Sequence, residues 1–498
     1  METKKLGILF LFSVILAFFA GYFSSNLVES KMVIESDEIF DYITKAFDEY
    51  YYYEIDSDDV YDAFIKSMNA VVDSYAENNN DPYTKINAVA SNITSSKVES
   101  FVGMGIDFYF DGLNLRVIDV NDSSSLYLNL FPYDLITGVV EDEEIIYFDD
   151  LESTDDVLTY LQGQLDETQV IIVENVYGEI YQLSFTYNEI DTPSTYTLDL
   201  GYDDIGYIKI DSFNGYSEGV TVGTNYVFNT LLRQLETTTL LDENSTLILD
   251  LRDNPGGSLT ALNNKGTNLN PGITQLLLPY SLTHSIFNLV DKNDDVIEYY
   301  GGLSTEKTYD IKVLVNENSA SASEVLAASM YSYGYTLYGH QTYGKGVYQN
   351  SIYLNDIRNV SYYLTYTEGI WNYDDDKNVM TEPLPVTEIV QSGILTLDLP
   401  VFMYTLSYDM VDSTLVDYQK FLNVYFENNY DLRTDGYYDI ITENLVKLYQ
   451  LEKGITQTGT INLETAQHIY ADFKVMSNDA NNDAQLQALL AMINEDDE

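Results

Sequence analysis

The chain has 498 residues, with 80 Asp plus Glu against 23 Lys plus Arg, a formal net charge of −57. Such a field repels phosphate backbones and anionic lipid surfaces, which excludes sequence-independent nucleic-acid binding. A content of 45% hydrophobic and 14% aromatic residues argues against disorder, and the absence of cysteine removes disulfides, thiolate metal sites and cysteine nucleophiles. The only three histidines, His284, His340 and His468, are too scattered to suggest a metal site, so any catalysis falls to Ser, Lys, Asp or Glu. The length is enough for roughly three to four domains.

Leu6 to Phe23 is an uncharged apolar run of 18 residues after Lys4 and Lys5. As a helix it spans about 27 Å, close to the ~30 Å hydrocarbon core. It has no polar face and no clean small-x-small cleavage site. The reading is therefore an uncleaved single-pass anchor over residues 1–23, with the lysines cytoplasmic and everything after about Ser24 exported.

Residues 36–99 carry two amphipathic patterns, Ile39, Phe40, Ile43, Phe47 and then Val60, Phe64, Ile65, Met68, stopped by the Asn78–Pro82 cluster. Residues 100–188 read as a β-rich module of short strands interrupted by one helix over 155–164. Across 189–395 strands alternate with helices, which implies a partly parallel α/β sheet. Residues 410–475 return to short helices separated by glycine turns. The Asp/Asn-rich segment 476–498 is expected to be a disordered acidic tail. The fold class is thus multidomain α/β with a helical segment, a β-rich domain, an α/β core and a small all-α domain.

Three segments carry chemistry. Leu247–Gly257 (LILDLRDNPGG) describes a buried strand ending at a turn whose glycines permit close backbone approach and can aim amides at a ligand oxygen. Val313–Val325 (VLVNENSASASEV) is a strand entering a helix through small residues. A serine on such a turn is exposed, and the next amide can face a developing oxyanion. Plain helix capping by Ser319, Ser321 or Ser323 explains one serine but not the alternation of all three. Gly339–Gln349 (GHQTYGKGVYQ) places a lone lysine between glycines, and the flanking Tyr343, Val347 and Tyr348 could desolvate it into a neutral base.

Together these segments resemble the C-terminal processing peptidases, or tail-specific proteases, a serine peptidase family. The resemblance implies Ser321 as nucleophile, Lys345 as base and Gln349 as the lysine's orienting partner. It implies an oxyanion hole from the amide of Ala322 with that of Gly256 or Gly257. No metal and no organic cofactor is implied. The Ser321-to-Lys345 interval is one residue shorter than usual, with the deletion near Tyr335–Leu337. His340 stands where the family often has Glu and is read as a bystander.

The β-rich module resembles the family's PDZ domain. Gly103, Met104, Gly105 and Ile106 then form the loop that captures a substrate's C-terminal carboxylate. Ser124–Asp134 (SSLYLNLFPYD) corresponds to a stretch in which the family has two glycines, both absent here. Residues 410–475 resemble a peptidoglycan-binding-type domain, burying Leu415, Phe421, Leu422, Leu445 and Leu448, which brings in peptidoglycan as a candidate partner. In relatives the helices before the PDZ domain support dimerisation. The resemblance therefore implies a membrane-anchored, extracytoplasmic endopeptidase acting on protein substrates through their C-terminal tails. The alternative is an inactive scaffold of PDZ and wall-binding modules, but relics usually lose the nucleophile or base first, and Ser321, Lys345 and Gln349 all stand.

Overall fold

The computed structural model describes residues 57–90, 100–127, 129–141, 144–175, 178–215, 223–238, 241–264, 270–357, 360–374 and 376–496. The expected anchor over 1–23 and the first expected amphipathic helix lie outside these residues. Among the described residues no helix is long and apolar enough to cross a membrane.

The chain opens with α1 (Ser57–Asn78) and β1 (Lys85–Ala90). The β-rich module holds β2 (Ser100–Gly103), β3 (Ile106–Asp111), β4 (Asn114–Val120), β5 (Leu135–Glu141) and β6 (Glu144–Tyr147). After α2 (Thr154–Tyr160) come β7 (Thr168–Glu174), β8 (Ile180–Thr186) and β9 (Asn188–Asp191). The core continues through β10 (Thr195–Tyr196), β11 (Ile205–Ile210), α3 (Thr224–Thr238) and β12 (Thr246–Asp250). Next are β13 (Phe287–Asp291), β14 (Val296–Tyr299), β15 (Asp310–Val315), α4 (Ala322–Ser332) and β16 (Leu337–Gly339). Long strands β17 (Val347–Ile357) and β18 (Val360–Asn372) precede β19 (Thr387–Glu388). The C-terminal part holds α5 (Leu415–Tyr425), α6 (Ile440–Glu452), α7 (Leu463–Asn478) and α8 (Ala484–Asp496).

These elements form two compact units, one of Met1–Ser95 with Val347–Gly369, the other of Ser96–Gly346 with Ile370–Glu498. In the first, β1 pairs antiparallel with β18, and β17 also pairs with β18. Asp81 ties the turn after α1 to this ribbon, accepting from the Thr84 hydroxyl at 2.6 Å and the Thr367 hydroxyl at 3.0 Å.

The second unit is built around a six-stranded sheet of order β10-β11-β12-β15-β16-β19. Its pairings from β11 through β19 are all parallel, as the alternation of strands and helices implies. All five residues of β12 are buried, so its continuous Leu-Ile-Leu run marks the sheet's interior. The β-rich module is a sheet of order β3-β4-β5-β7-β8, with β6 on β5, around a core that includes Leu115, Val117, Ile136 and Phe185. The Pro132-Tyr133-Asp134 turn keeps the backbone a glycine would favour: Tyr133 has φ 71° and its amide donates to the Val117 carbonyl at 2.8 Å. A non-glycine residue there costs about 1–2 kcal/mol.

Asp134, buried beside this turn, accepts from the Phe131 amide at 3.0 Å, and burial pushes its carboxyl up to about 7. The folded state therefore holds a proton that the unfolded chain releases near pH 4. This contribution to stability is present at low pH and is lost as pH rises towards 7, amounting to up to about 4 kcal/mol. Thermal melts at pH 5 and pH 8 should show a smaller loss in Asp134→Asn than in the wild type. Equal losses would show that Asp134 does not govern the effect.

The helical C-terminal domain buries Leu415, Phe421, Leu422 and Leu445, with Leu448 packed against them. Its α7 docks on the β-rich module: the Tyr470 hydroxyl donates to Asp119 at 3.0 Å and the Lys474 ammonium lies 2.9 Å from the same carboxylate.

The expectation of a disordered tail over 476–498 is corrected. α8 places Leu486, Leu489, Leu490 and Ile493 in one buried cluster with Ile205, Tyr207, Ile248 and Leu314 of the core sheet. Those four positions follow the i, i+3, i+4, i+7 spacing of a helix face, and burying each contributes about 1.5–3 kcal/mol. The Asp/Asn-rich run before the helix is what disguised it as a tail.

Candidate active site

The carboxyl end of β12 leads into Leu251-Arg-Asp-Asn-Pro-Gly-Gly257, and the end of β15 leads into Asn316–Ser321 at the start of α4. Neighbouring parallel strands bring their carboxyl ends side by side, so the two loops meet. The Ser319 hydroxyl donates to the Leu251 carbonyl at 2.8 Å, and the Ala320 amide donates to the Asn254 carbonyl at 3.0 Å. Asp253 accepts from the Asn316 and Asn318 side chains at 2.9 and 2.8 Å. Gly256 shows how tight the fit is: a Cβ there would stand 2.8 Å from the Ser321 Cβ and 3.0 Å from the Ala322 nitrogen.

This packing separates the three serines. Ser319 and Ser323 are fully buried, whereas Ser321, the N-cap of α4, is partly exposed. Its backbone has φ 57° and ψ −119°, a conformation costing about 1–3 kcal/mol for a non-glycine residue. The surrounding hydrogen bonds hold it there. Of the candidate oxyanion glycines, Gly256 has its amide engaged by the Asn254 side chain at 2.8 Å. Gly257, at φ 138°, has no amide partner among the described residues, nor has Ala322 at the first turn of α4.

Sequence reading missed Glu324. This fully buried carboxylate accepts from the Ser321 amide at 3.0 Å and the Lys345 amide at 2.8 Å with one oxygen, and from the Gly344 amide at 2.6 Å with the other. Burial raises its carboxyl above the ordinary range, against the lowering effect of those amides. Glu324 thus bridges the loops bearing Ser321 and Lys345 although 21 residues separate it from the latter. The signal was the glutamate closing SASASE, which a capping reading absorbs.

Lys345 is half-buried, and its carbonyl accepts the indole N–H of the buried Trp371 at 2.8 Å. Gly344, at φ 93°, supplies the turn that Glu324 grips. Gln349 belongs to the other unit, where its side-chain amide donates to the Tyr83 carbonyl at 2.7 Å. His340 is exposed, and its Nδ1 accepts the Gln341 amide at 2.6 Å. Among the described residues no cluster of three or more His, Asp or Glu is disposed to hold a metal ion.

In the β-rich module Met104 is buried, with its carbonyl accepting the Ser124 hydroxyl, and Gly105 adopts φ 67°. The Gly105 carbonyl accepts the Asn121 amide at 2.9 Å, and Ile106 begins β3, the end strand of its sheet. The φ of 67° at Gly105 and the crowding a Cβ would meet from Ser124 and the Ile190 side chain both favour glycine at this position.

Residues 204–382 match the family model described as peptidase family S41. These residues form an S41 peptidase domain, which makes the chain a serine-type peptidase. It is 24% identical over 473 residues to the carboxy-terminal processing protease CtpB of Bacillus subtilis (strain 168), covering 92% of this chain and 89% of that protein. Among solved structures it is similar to a photosystem II D1 C-terminal processing protease, at 19% identity and a TM-score of 0.34, covering 70% of this chain and 86% of that one. It is also similar to the PDZ domain of a carboxy-terminal protease from Vibrio cholerae in complex with peptide, at 17% identity and a TM-score of 0.17, covering 19% of this chain and 99% of that one. The S41 match spans the loops of Ser321, Lys345 and Gly257.

Proposed function

We propose that this S41 peptidase is an extracytoplasmic serine endopeptidase that takes protein substrates by their C-terminal tails. Ser321 Oγ attacks the scissile carbonyl while a neutral Lys345 takes its proton, and the amides of Ala322 and Gly257 stabilise the oxyanion. Lys345 then protonates the leaving amine, and water hydrolyses the acyl-enzyme with the same lysine as base. A substrate tail adds as a strand along the outer edge of β3, with its carboxylate at the amides of Gly103–Ile106. The observation that carries this reading is the partly exposed, strained Ser321, tied through Glu324 to the backbone of Lys345.

The test is cleavage of unfolded casein by a soluble fragment from residue 36. The fragment should degrade casein, and its Ser321→Ala variant should not. Full activity in the variant would overturn the assignment, and an inactive wild type that still binds tails would favour the scaffold.

The apolar run Leu6–Phe23 is proposed to anchor the peptidase with its catalytic part outside. There the charge of −57 suits a saline medium, in which salt screens the self-repulsion of the carboxylates. The melting temperature should rise between low and high salt. A flat or falling trend would count against a saline setting.

A further inference from the structure

Arg252 lies between β12 and the Asn254–Gly257 turn and is nearly buried. Its Nε meets the Asp250 carboxylate at 3.0 and 3.1 Å, and the Lys209 ammonium donates to its carbonyl at 2.9 Å. Nη2 also meets Asp250 at 2.5 Å, and both Nη1 and Nη2 reach the C-terminal segment as well. Asp483 receives Nη1 at 2.9 Å and Nη2 at 2.6 Å, a bidentate pair, and Gln485 Oε1 receives Nη1 at 3.1 Å. Asp483 is held in turn by the Gln391 side chain at 2.9 Å and the Leu486 amide at 3.1 Å, and the Gln485 side-chain amide donates to the Ile389 carbonyl at 2.6 Å. The partners are 231 residues apart in sequence.

A guanidinium held in a planar fork on both sides has one orientation, and its own backbone is fixed with it. That backbone enters the turn whose Gly257 amide has no partner among the described residues and whose Gly256 abuts Ser321. We propose that Asp483 and Gln485 are positioning residues of the active site, with the segment before α8 acting as a strut that sets the oxyanion turn through Arg252. The proposal rests on the assignment of Ser321 and Gly257 given above. The apolar face of α8 seats the segment, and its polar residues supply the geometry.

The test compares Asp483→Asn, Gln485→Ala and Leu489→Ala in the full chain, by casein turnover and by the rate at which a serine-reactive phosphonate labels the protein. Asp483→Asn should lower kcat between about tenfold and a hundredfold, the range expected for a small misplacement in a site. KM should change less than about twofold, as expected when transition-state interactions alone are lost. Gln485→Ala, which keeps the ion pair, should lower kcat by a smaller factor and serves if Asp483→Asn does not fold. Leu489→Ala weakens the seating of the same helix without touching Arg252, so it should lower the melting temperature but keep kcat per labelled site. Equal kcat in wild type, Asp483→Asn and Gln485→Ala overturns the strut, as does a kcat loss in Leu489→Ala as large as that in Asp483→Asn. Failure of the underlying assignment reads differently, because Ser321→Ala would then still cleave casein and the phosphonate would label both proteins.

Discussion

Ser321→Ala and Lys345→Ala are each expected to lose more than about a thousandfold in turnover, as removal of a nucleophile or its base does in serine peptidases. Both should stay folded, because the contacts that fix these loops are made by other groups. Ser319 and Ala320 bind the Leu251–Asn254 segment, and Glu324 holds the backbones of Ser321 and Lys345 irrespective of their side chains. Stability distinguishes two inactive variants. At φ 57° an alanine keeps the strain of the serine, whereas glycine accepts that backbone freely. Ser321→Gly should therefore be more stable than Ser321→Ala by about 1–2 kcal/mol. Equal melting temperatures for the two would mean that the turn relaxes and stores no strain.

Glu324→Ala is expected to cost both activity and stability. It strands three part-buried amide donors, those of Ser321, Gly344 and Lys345, at about 1–3 kcal/mol for each that finds no water. It also releases the Ser321 loop from the Lys345 loop, which should lower kcat at least about a hundredfold. Glu324→Gln retains one acceptor oxygen and points an amide donor at the amides on the other side. It should be more stable than the alanine variant yet still impaired. Steady-state casein cleavage alongside thermal melts checks both, and a wild-type kcat in Glu324→Ala would remove the bridge from the mechanism.

The residues that meet at this site were legible in the sequence to different depths. Ser321 and Lys345 stand out because small residues and glycines leave them few local partners. The choice between Gly256 and Gly257 was not legible, since it depends on Asn254 spending its side chain on the Gly256 amide. Glu324 was visible as a letter but not as a bridge, because its partners 20 and 21 residues away are reached only once β16 returns the chain beside α4. The two glycines of the family are absent from Ser124–Asp134, yet the structure keeps a left-handed turn there by straining Tyr133.

The sequence by itself determined a partly parallel α/β core, the exclusion of cysteine chemistry and an acidic chain, because composition and local periodicity need no knowledge of what packs against what. The motifs around Ser321 and Lys345 added a serine peptidase by resemblance. Only the tertiary structure decided that the acidic end of the chain is part of the peptidase. Asp483 reads as one more charge among 80 acidic residues until folding places it on Arg252. Buried ion pairs are chosen by topology, and local sequence carries no record of a partner 231 residues away.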